Sequence, residues 1–489
     1  MAADGPARRA VAENAHEGVD SAAAMMLADP VSAYDASYAR MHAIPRDRLE
    51  AIQLAGLKIR FSQLRDKIPM LKKLADEAEV GALETLEDVI PLLFTHTVYK
   101  SYPMSFLEKN RFQQLTLWLQ KLTTVDLSAV DVSSCRGIDD WFRAVEAQSP
   151  VWLCNSSGTT GTMSFLPRTG HEFEQHFLIG QVGLFAILGL TPPTRGHPLD
   201  MHVVNGGYRS GTSMMPRSIP SFVKYLCNGD QSKLHSLYPY AQSADLMFLA
   251  GRMRAAEAKG ELDRLQLSPE LLARKPEFEA VQRNMPGDLK RFFADIVEHL
   301  RGKQIYTLNA WNVLYNIASA GIADGLEGVF APNSIVIAGG GSKGEVLPPG
   351  WEDVVKRFFG VARLNHVYGM TEVIGSNKLC EHGRFHIEPT AVLFVLDPDS
   401  GEPLPRQGVQ TGRAAFYSLL AETYWGGFVS GDEVTVDWST PCRCGKLSPH
   451  IDRRIERYSE KRGGSDKITC AAAADAHVSA LRFLNDFPA

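Results

Sequence analysis

The segment Ser156, Ser157, Gly158, Thr159, Thr160, Gly161, Thr162 has the composition of a loop that holds an anion. Two glycines permit a tight turn, and hydroxyls and main-chain N–H groups then converge on phosphate oxygens. It is no Walker loop, because the GxxxxGK[ST] pattern is missing, and a polar turn of Ser, Gly and Thr is the plain alternative. A second set of residues carries metal chemistry. Cys380 precedes His382 and His386 (CEHGRFHIEP), and Cys442 and Cys444 follow well downstream in the run CRCG. Four thiol or imidazole ligands from two knuckles have the stoichiometry of a closed structural zinc site. The CxC spacing is less usual than CxxC, so scattered buried thiols remain the alternative, and either histidine could be the ligand.

These residues need elements to hold them. From Tyr34 to about Val151 the stretches LEAIQLAGLKIRFSQLRDKI and RFQQLTLWLQKL repeat apolar residues at three- and four-residue intervals, which predicts a helical opening layer. At Val151 the run VWLCN predicts a strand that leads through the hydroxyl loop to a helix from His171. NGGYRSGTSMMPRSIPS reads as loop, and the stretch Gly260 to Gly302 as helix-rich. SIVIAGGGS, WEDVVKRFFG and RLNHVYGMTE then alternate as strand, helix and strand, the rhythm of an α/β sheet. After Thr390 the strands AVLFVLD, RAAFYSL and DEVTVDW dominate. FLIGQVGLFAILGL is too short and too interrupted for a bilayer and predicts a buried helix.

Gly339, Gly340 and Gly341, then Tyr368, Gly369, Met370, Thr371 and Glu372, then Ser430, Gly431 and Asp432 follow the hydroxyl loop in an order that resembles the adenylate-forming superfamily of acyl-CoA synthetases. That resemblance implies an α/β fold: a large adenylation domain of sheets flanked by helices, plus a β-rich subdomain. It implies that the loop cradles ATP phosphates, Tyr368 stacks on adenine and Thr371 meets phosphate. Glu372 then binds magnesium, Gly339 to Gly341 flank adenine, and Asp432 accepts from the ribose hydroxyls. A flat ring, a hydroxyl and a hard carboxylate suit a base, a phosphate and a hard cation. One departure concerns the loop, which in the family continues TGxPK. Here Thr162, Met163 and Ser164 follow, without a cation; Arg168 is the nearest substitute, and a surface arginine is the alternative.

The Cys, the His of a G-x-H-I-like segment and the CxCG knuckle resemble the phenylacetate-CoA ligase branch, which favours Cys380, His386, Cys442 and Cys444 as ligands of a structural Zn²⁺. IPLLFTHTVYKSYP (Ile90 to Pro103) is similar to the opening LP-x-T-x-K…YP segment of that branch, with a poorly matched insertion near 225 to 300. The ligases carry a mobile C-terminal domain with a catalytic lysine, whereas Gly464 to Asp466 is the best hinge match here and leaves a truncated C-terminal segment. That end resembles the long-chain acyl-protein synthetases of bioluminescence systems, which pass an acyl group to their own cysteine. Cys470 in SDKITCAAA occupies a comparable place, and a thiolate is the nucleophile an acyl-adenylate requires; a buried spacer is its alternative.

The expected organisation is a polar leader over 1–33, a helical opening region of the adenylation domain over 34–150, an adenylation core over 151–440, and the zinc knuckle with a short C-terminal segment over 441–489. Length alone, 489 residues, suggests two or three domains at roughly 150 residues each. With 45% hydrophobic and 22% charged residues and a net charge of −5, the chain is an ordinary globular one with no electrostatic reason to bind nucleic acid. Seven cysteines form no disulfide framework, which with the absence of a secretory layout points to a reducing cytoplasm. The expected activity is ATP- and Mg²⁺-dependent activation of a carboxylic acid, with a fatty acid favoured, and transfer to a thiol. The acceptor is Cys470, a carrier protein, an acyl reductase or coenzyme A. A non-catalytic nucleotide- and zinc-binding scaffold is the rival from another class.

Overall fold

The computed structural model describes residues 18–156, 162–260, 268–340 and 346–461. Ser157, Gly158, Thr159, Thr160 and Gly161 of the hydroxyl loop, Gly341, the Gly464 to Asp466 turn and Cys470 lie outside the described residues. No described helix is long and apolar enough to cross a membrane.

In chain order the strands are β1 (Phe94–Thr95), β2 (Val151–Asn155), β3 (Phe165–Thr169), β4 (His202–Ser210), β5 (Leu234–Ala241), β6 (Ile305–Ala310), β7 (Ile335–Gly339) and β8 (Asn365–Tyr368). They continue with β9 (Asn377–Leu379), β10 (Arg384–His386), β11 (Ala391–Leu396), β12 (Val409–Ser418), β13 (Gly427–Asp437), β14 (His450–Asp452) and β15 (Glu456–Arg457). Apart from the β2–β3 pair they form one mixed sheet in the order β11-β12-β13-β14-β10-β9-β8-β7-β6-β4-β5, with β1 and β15 also pairing to β13. From β5 to β8 every pairing is parallel. From β8 through β9 to β11 every pairing is antiparallel. β8 is therefore the seam of the sheet, and Tyr368 ends it. In α/β sheets ligands gather where strand order or direction changes, beyond the carboxyl ends of the strands.

The hydrophobic pattern explains the layers. AVLFVL has no polar alternation because both faces of β11 are covered: Val392, Phe394 and Leu396 join one core cluster, and Ala391, Leu393 and Val395 another. The Arg46–Leu64 helix buries Leu49, Ile52, Gly56, Leu57, Phe61 and Leu64, a stripe at helical spacing. That stripe packs against the antiparallel half, where Gln53 donates to the carbonyls of Pro389 (3.1 Å) and Ala391 (3.0 Å). The apolar run from Phe177 lies in the Gly170–Ile187 helix and is buried through Phe185; its last residues run past the helix end, where Leu190 is exposed.

Three expectations need correction. VWLCN is not followed directly by a helix, because β3 returns antiparallel to β2 before the helix starts, making a hairpin around the hydroxyl loop. NGGYRSGTSMMPRSIPS is not a loop: NGGYRS completes β4, between β5 and β6, and MMPRSIPS starts a helix over Met214–Tyr225. Gly206 is there for close packing rather than for a turn, since a Cβ would lie 2.6 Å from Ile317 and 2.7 Å from Val313. Pro216 falls in the first helical turn, where its missing N–H has no intrahelical partner to lose. The polar leader ends earlier than drawn, because residues 18–28 are helical and bury Ala23, Met26 and Leu27 in the main core.

Candidate active site and metal cluster

Tyr368, at the end of the seam strand, donates its hydroxyl to Asp432 Oδ2 at 2.9 Å. Asp432 sits on β13 opposite Arg457 of β15, whose Nε lies 3.4 Å from Oδ1. Its main-chain N–H is held by Ser430 Oγ at 3.1 Å. Gly339 ends β7, and a Cβ there would lie 2.8 Å from Val367 of β8, so only glycine permits this approach. Gly340 follows it, exposed at the strand end. The sheet thus brings Gly339, Tyr368 and Asp432 together from three motifs that are far apart in sequence.

Thr371 and Glu372 follow β8 in a half-buried turn. Burial pushes the Glu372 carboxyl up, while Arg168 and Arg457 pull it back. The turn is pinned from two sides: Tyr424 donates to the Glu372 carbonyl at 3.0 Å, and Gly375 N–H donates to His176 Nδ1 at 3.0 Å. Burial, with Arg168 and Lys378 nearby, lowers His176 to about 3, which keeps this acceptor neutral. The hydroxyl loop springs from the β2–β3 hairpin, where Ser156 N–H donates to the Ser164 carbonyl (3.2 Å) and Ser164 N–H to Ser156 Oγ (3.0 Å). Asn155 N–H reaches the carbonyl of Thr212 just beyond β4 (3.0 Å). Ser156 and Ser164 are thereby paired at the base of the loop, with Thr162 two residues before Ser164.

Arg168 is not on the surface. It is fully buried on β3, donates to Tyr424 Oη at 3.0 Å, and is shut between the rings of Tyr424 and Phe173. A cation that sequence reading passed over lies in the IPLLFTHTVYKSYP segment. β1 pairs parallel with β13, Thr95 opposite Val429, which carries the following residues toward Asp432. Lys100 is half-buried there, its ammonium pulled down by burial and raised again by Glu372, with Arg457 opposing. The signal in the sequence was the lysine of the segment already likened to LP-x-T-x-K…YP.

Cys380, His386, Cys442 and Cys444 bring their ligand atoms within 4.8 Å of one another. His386 Nε2 lies 3.1 Å from Cys444 Sγ, while Nδ1 faces Ser448 Oγ at 3.1 Å, so one ring nitrogen is free for a cation and the other is oriented by a hydroxyl. Ser448 Oγ also meets Nδ1 of the fully buried His42 at 2.7 Å, a contact from the opening helices that no motif announced. Both knuckles turn through a glycine with positive φ, Gly383 (+73°) and Gly445 (+85°). Gly383 N–H donates back to the Cys380 carbonyl (3.0 Å), and Gly445 N–H to the Cys442 carbonyl (2.8 Å). Burial lowers His386 to about 3 and raises Cys442 to about 11. The imidazole is thus in its ligating form, and a divalent cation would supply the charge that makes the thiols thiolates. His382 is exposed and outside the cluster. Between cluster and seam lies a buried ion pair, Lys378 to Glu388 at 2.6 Å. Lys378 also donates to Ser376 Oγ (3.2 Å), and Asn377 Oδ1 accepts from Glu388 N–H (3.2 Å).

No family model and no curated protein matches the chain. Solved structures do. A 2-hydroxyisobutyryl-CoA ligase in its postadenylation state aligns with a TM-score of 0.50 at 12% identity, over 90% of this chain and 74% of that one. MatB from Rhodopseudomonas palustris bound to ATP (TM-score 0.34, 14% identity, 61% of this chain and 46% of that one) and the luciferase-like enzyme of the Zophobas morio mealworm (0.31, 13%, 62% and 57%) are more distant. The chain has the mixed α/β fold of the adenylate-forming enzymes.

Proposed function

We propose that this chain is an AMP-forming acid–thiol ligase. A substrate carboxylate oxygen attacks the α-phosphorus of ATP and the bond to pyrophosphate breaks; a thiol, giving up its proton, then attacks the acyl carbon of the adenylate, the bond from that carbon to the phosphate oxygen breaks, and AMP leaves behind a thioester. The observation that carries the reading is the meeting of Tyr368, Asp432 and the Glu372 turn at the seam of the sheet. The Tyr368 ring offers a face for adenine and Asp432 an acceptor for ribose hydroxyls. The hydroxyls of Ser156, Ser157, Thr159, Thr160 and Thr162 and the loop N–H groups are the groups for the phosphate oxygens, and the Thr371 hydroxyl is a further one. Lys100 supplies the positive charge that the loop lacks, and stabilisation of charge on the phosphates is the chief catalytic contribution. Glu372 is the carboxylate for Mg²⁺, which neutralises phosphate charge when bound. The Cys380, His386, Cys442 and Cys444 cluster holds a structural Zn²⁺, which its donor set, neutral imidazole and glycine knuckles suit.

A fatty acid is the favoured substrate and Cys470 the favoured acceptor, on the resemblance to acyl-protein synthetases; a carrier protein or acyl reductase would take the same thioester. Transfer to coenzyme A is the second reading, supported by the ligase whose fold the chain shares. The retained Glu372 and Asp432 and the half-buried Lys100 argue against an inactive scaffold. The six cysteines among the described residues are all free thiols, which suits a reducing cytoplasm. Incubation with Mg-ATP and a labelled fatty acid should leave a hydroxylamine-sensitive label on the protein, and Cys470→Ala should abolish it. Acyl-CoA formed at a useful rate by an unlabelled protein would favour the ligase reading. Label that appears only with a second protein would place the acceptor there.

A further inference from the structure

The geometry points to Arg168 as a positioning residue of this same site: through Tyr424 it fixes the turn that carries Glu372. The inference rests on the adenylation reading for what Glu372 does, but the relay itself is on the structure. Arg168 is 0% exposed and has no ion pair among the described residues; its Nε and Nη1 have no hydrogen-bond partner there. Burying a guanidinium without an ion pair is costly, so its place calls for a reason. The Glu172 carboxylate, which acts on Arg168 electrostatically, is already saturated. Glu172 accepts from the N–H groups of Glu422 (2.7 Å), Thr423 (3.0 Å) and Thr169 (2.8 Å) and from Thr423 Oγ1 (2.6 Å).

What Arg168 does hold is the Tyr424 hydroxyl, through Nη2 at 3.0 Å. Guanidinium has no acceptor, so Tyr424 must receive from Arg168, and its single proton is left to point at the Glu372 carbonyl, 3.0 Å away. The direction of both hydrogen bonds is thereby forced. The Phe173 ring, its centroid 5.6 Å from the guanidinium carbon, and the full burial of Arg168 keep away solvent that could reverse them. β3 begins at the hydroxyl loop, so the relay also ties the loop's hairpin to the Glu372 turn. Arg168 is thus too enclosed to replace the missing loop cation, and it acts one residue behind the carboxylate instead.

The test is a double-mutant cycle read on binding of Mn²⁺·ATP, followed by electron paramagnetic resonance, and on the Mg²⁺ half-saturation of pyrophosphate exchange. Arg168→Met and Tyr424→Phe should each weaken Mn²⁺·ATP on the order of tenfold, as loss of a residue that orients a metal ligand does. In a Glu372→Gln background the same changes should have almost no effect, because their target is gone. Tyr424→Phe removes one oxygen and keeps the ring, so it carries the test if Arg168→Met does not fold. Equal weakening in both backgrounds, or none in either, overturns the relay. Wild-type protein that binds no Mn²⁺·ATP overturns the adenylation reading, and the relay's role with it.

Discussion

Cys380, His386, Cys442 and Cys444 converge from two short stretches of chain, with ligand atoms within 4.8 Å and three of the four residues buried. Tyr368, Glu372, Asp432, Lys100 and the hydroxyl loop come from four stretches and remain half-buried wherever they are described. In the first region burial favours the neutral forms: His386 is lowered to about 3, Cys442 is raised to about 11 and the Cys380 thiol is pushed up as well. In the second, cations and carboxylates temper one another, as Arg168 and Arg457 do for Glu372. A closed neutral cluster needs one small ion and gains fold stability from it. An open charged one leaves room for a polyanion that comes and goes.

This contrast can be broken experimentally. Cys442→Ser removes one of four ligands, and since binding of a structural zinc is folding free energy, of about 10 kcal/mol or more in small domains, it should show the largest effect: loss of zinc by elemental analysis and a much lower melting temperature. Folded, active protein without zinc would sink the metal assignment. Lys100→Met should leave the melting temperature alone and reduce pyrophosphate exchange on the order of a hundredfold, about 2.7 kcal/mol. A fall in stability without a fall in exchange would mark Lys100 as packing only.

His176 gives a pH test of the open region. Its folded value of about 3 lies below the unfolded value of about 6.5, so the unfolded chain takes up the proton first as pH falls. Stability is unaffected by this group above about pH 6.5 and falls by about 2 kcal/mol by about pH 5. Denaturant melts should show that slope in wild-type protein, and His176→Gln should flatten it. The smallest effect belongs to Ser448→Ala, which leaves all four ligands but unties His386 Nδ1 from His42. Chelator competition should report zinc affinity reduced on the order of tenfold; unchanged affinity would show that Ser448 does not orient the ligand.

The legible parts of the sequence were contiguous ones. VWLCN, SIVIAGG and RLNHVYGMTE carry their geometry in neighbouring residues, so the strands could be anticipated; for Cys380, His386, Cys442 and Cys444 spacing left scattered thiols and His382 open, and it was the family resemblance that implied the set the structure brings together. Lys100 could not, because its place depends on β1 pairing with β13, which no local pattern encodes. His42 was hidden for the same reason: it meets the cluster through Ser448 and the His386 ring, both far downstream in sequence. Gly206 and Pro216 misled, because close helix packing and a first helical turn leave the same residues in a sequence as a loop does.

The central claim is that the seam residues adenylate an acid, and ATP–pyrophosphate exchange with a panel of carboxylic acids tests it most directly, run on wild-type protein beside Glu372→Gln. The account predicts exchange that requires both an acid and Mg²⁺, and a loss on the order of a hundredfold or more in the variant with its melting temperature unchanged. Exchange at the wild-type rate in Glu372→Gln, or none in wild-type protein with any acid, would contradict it.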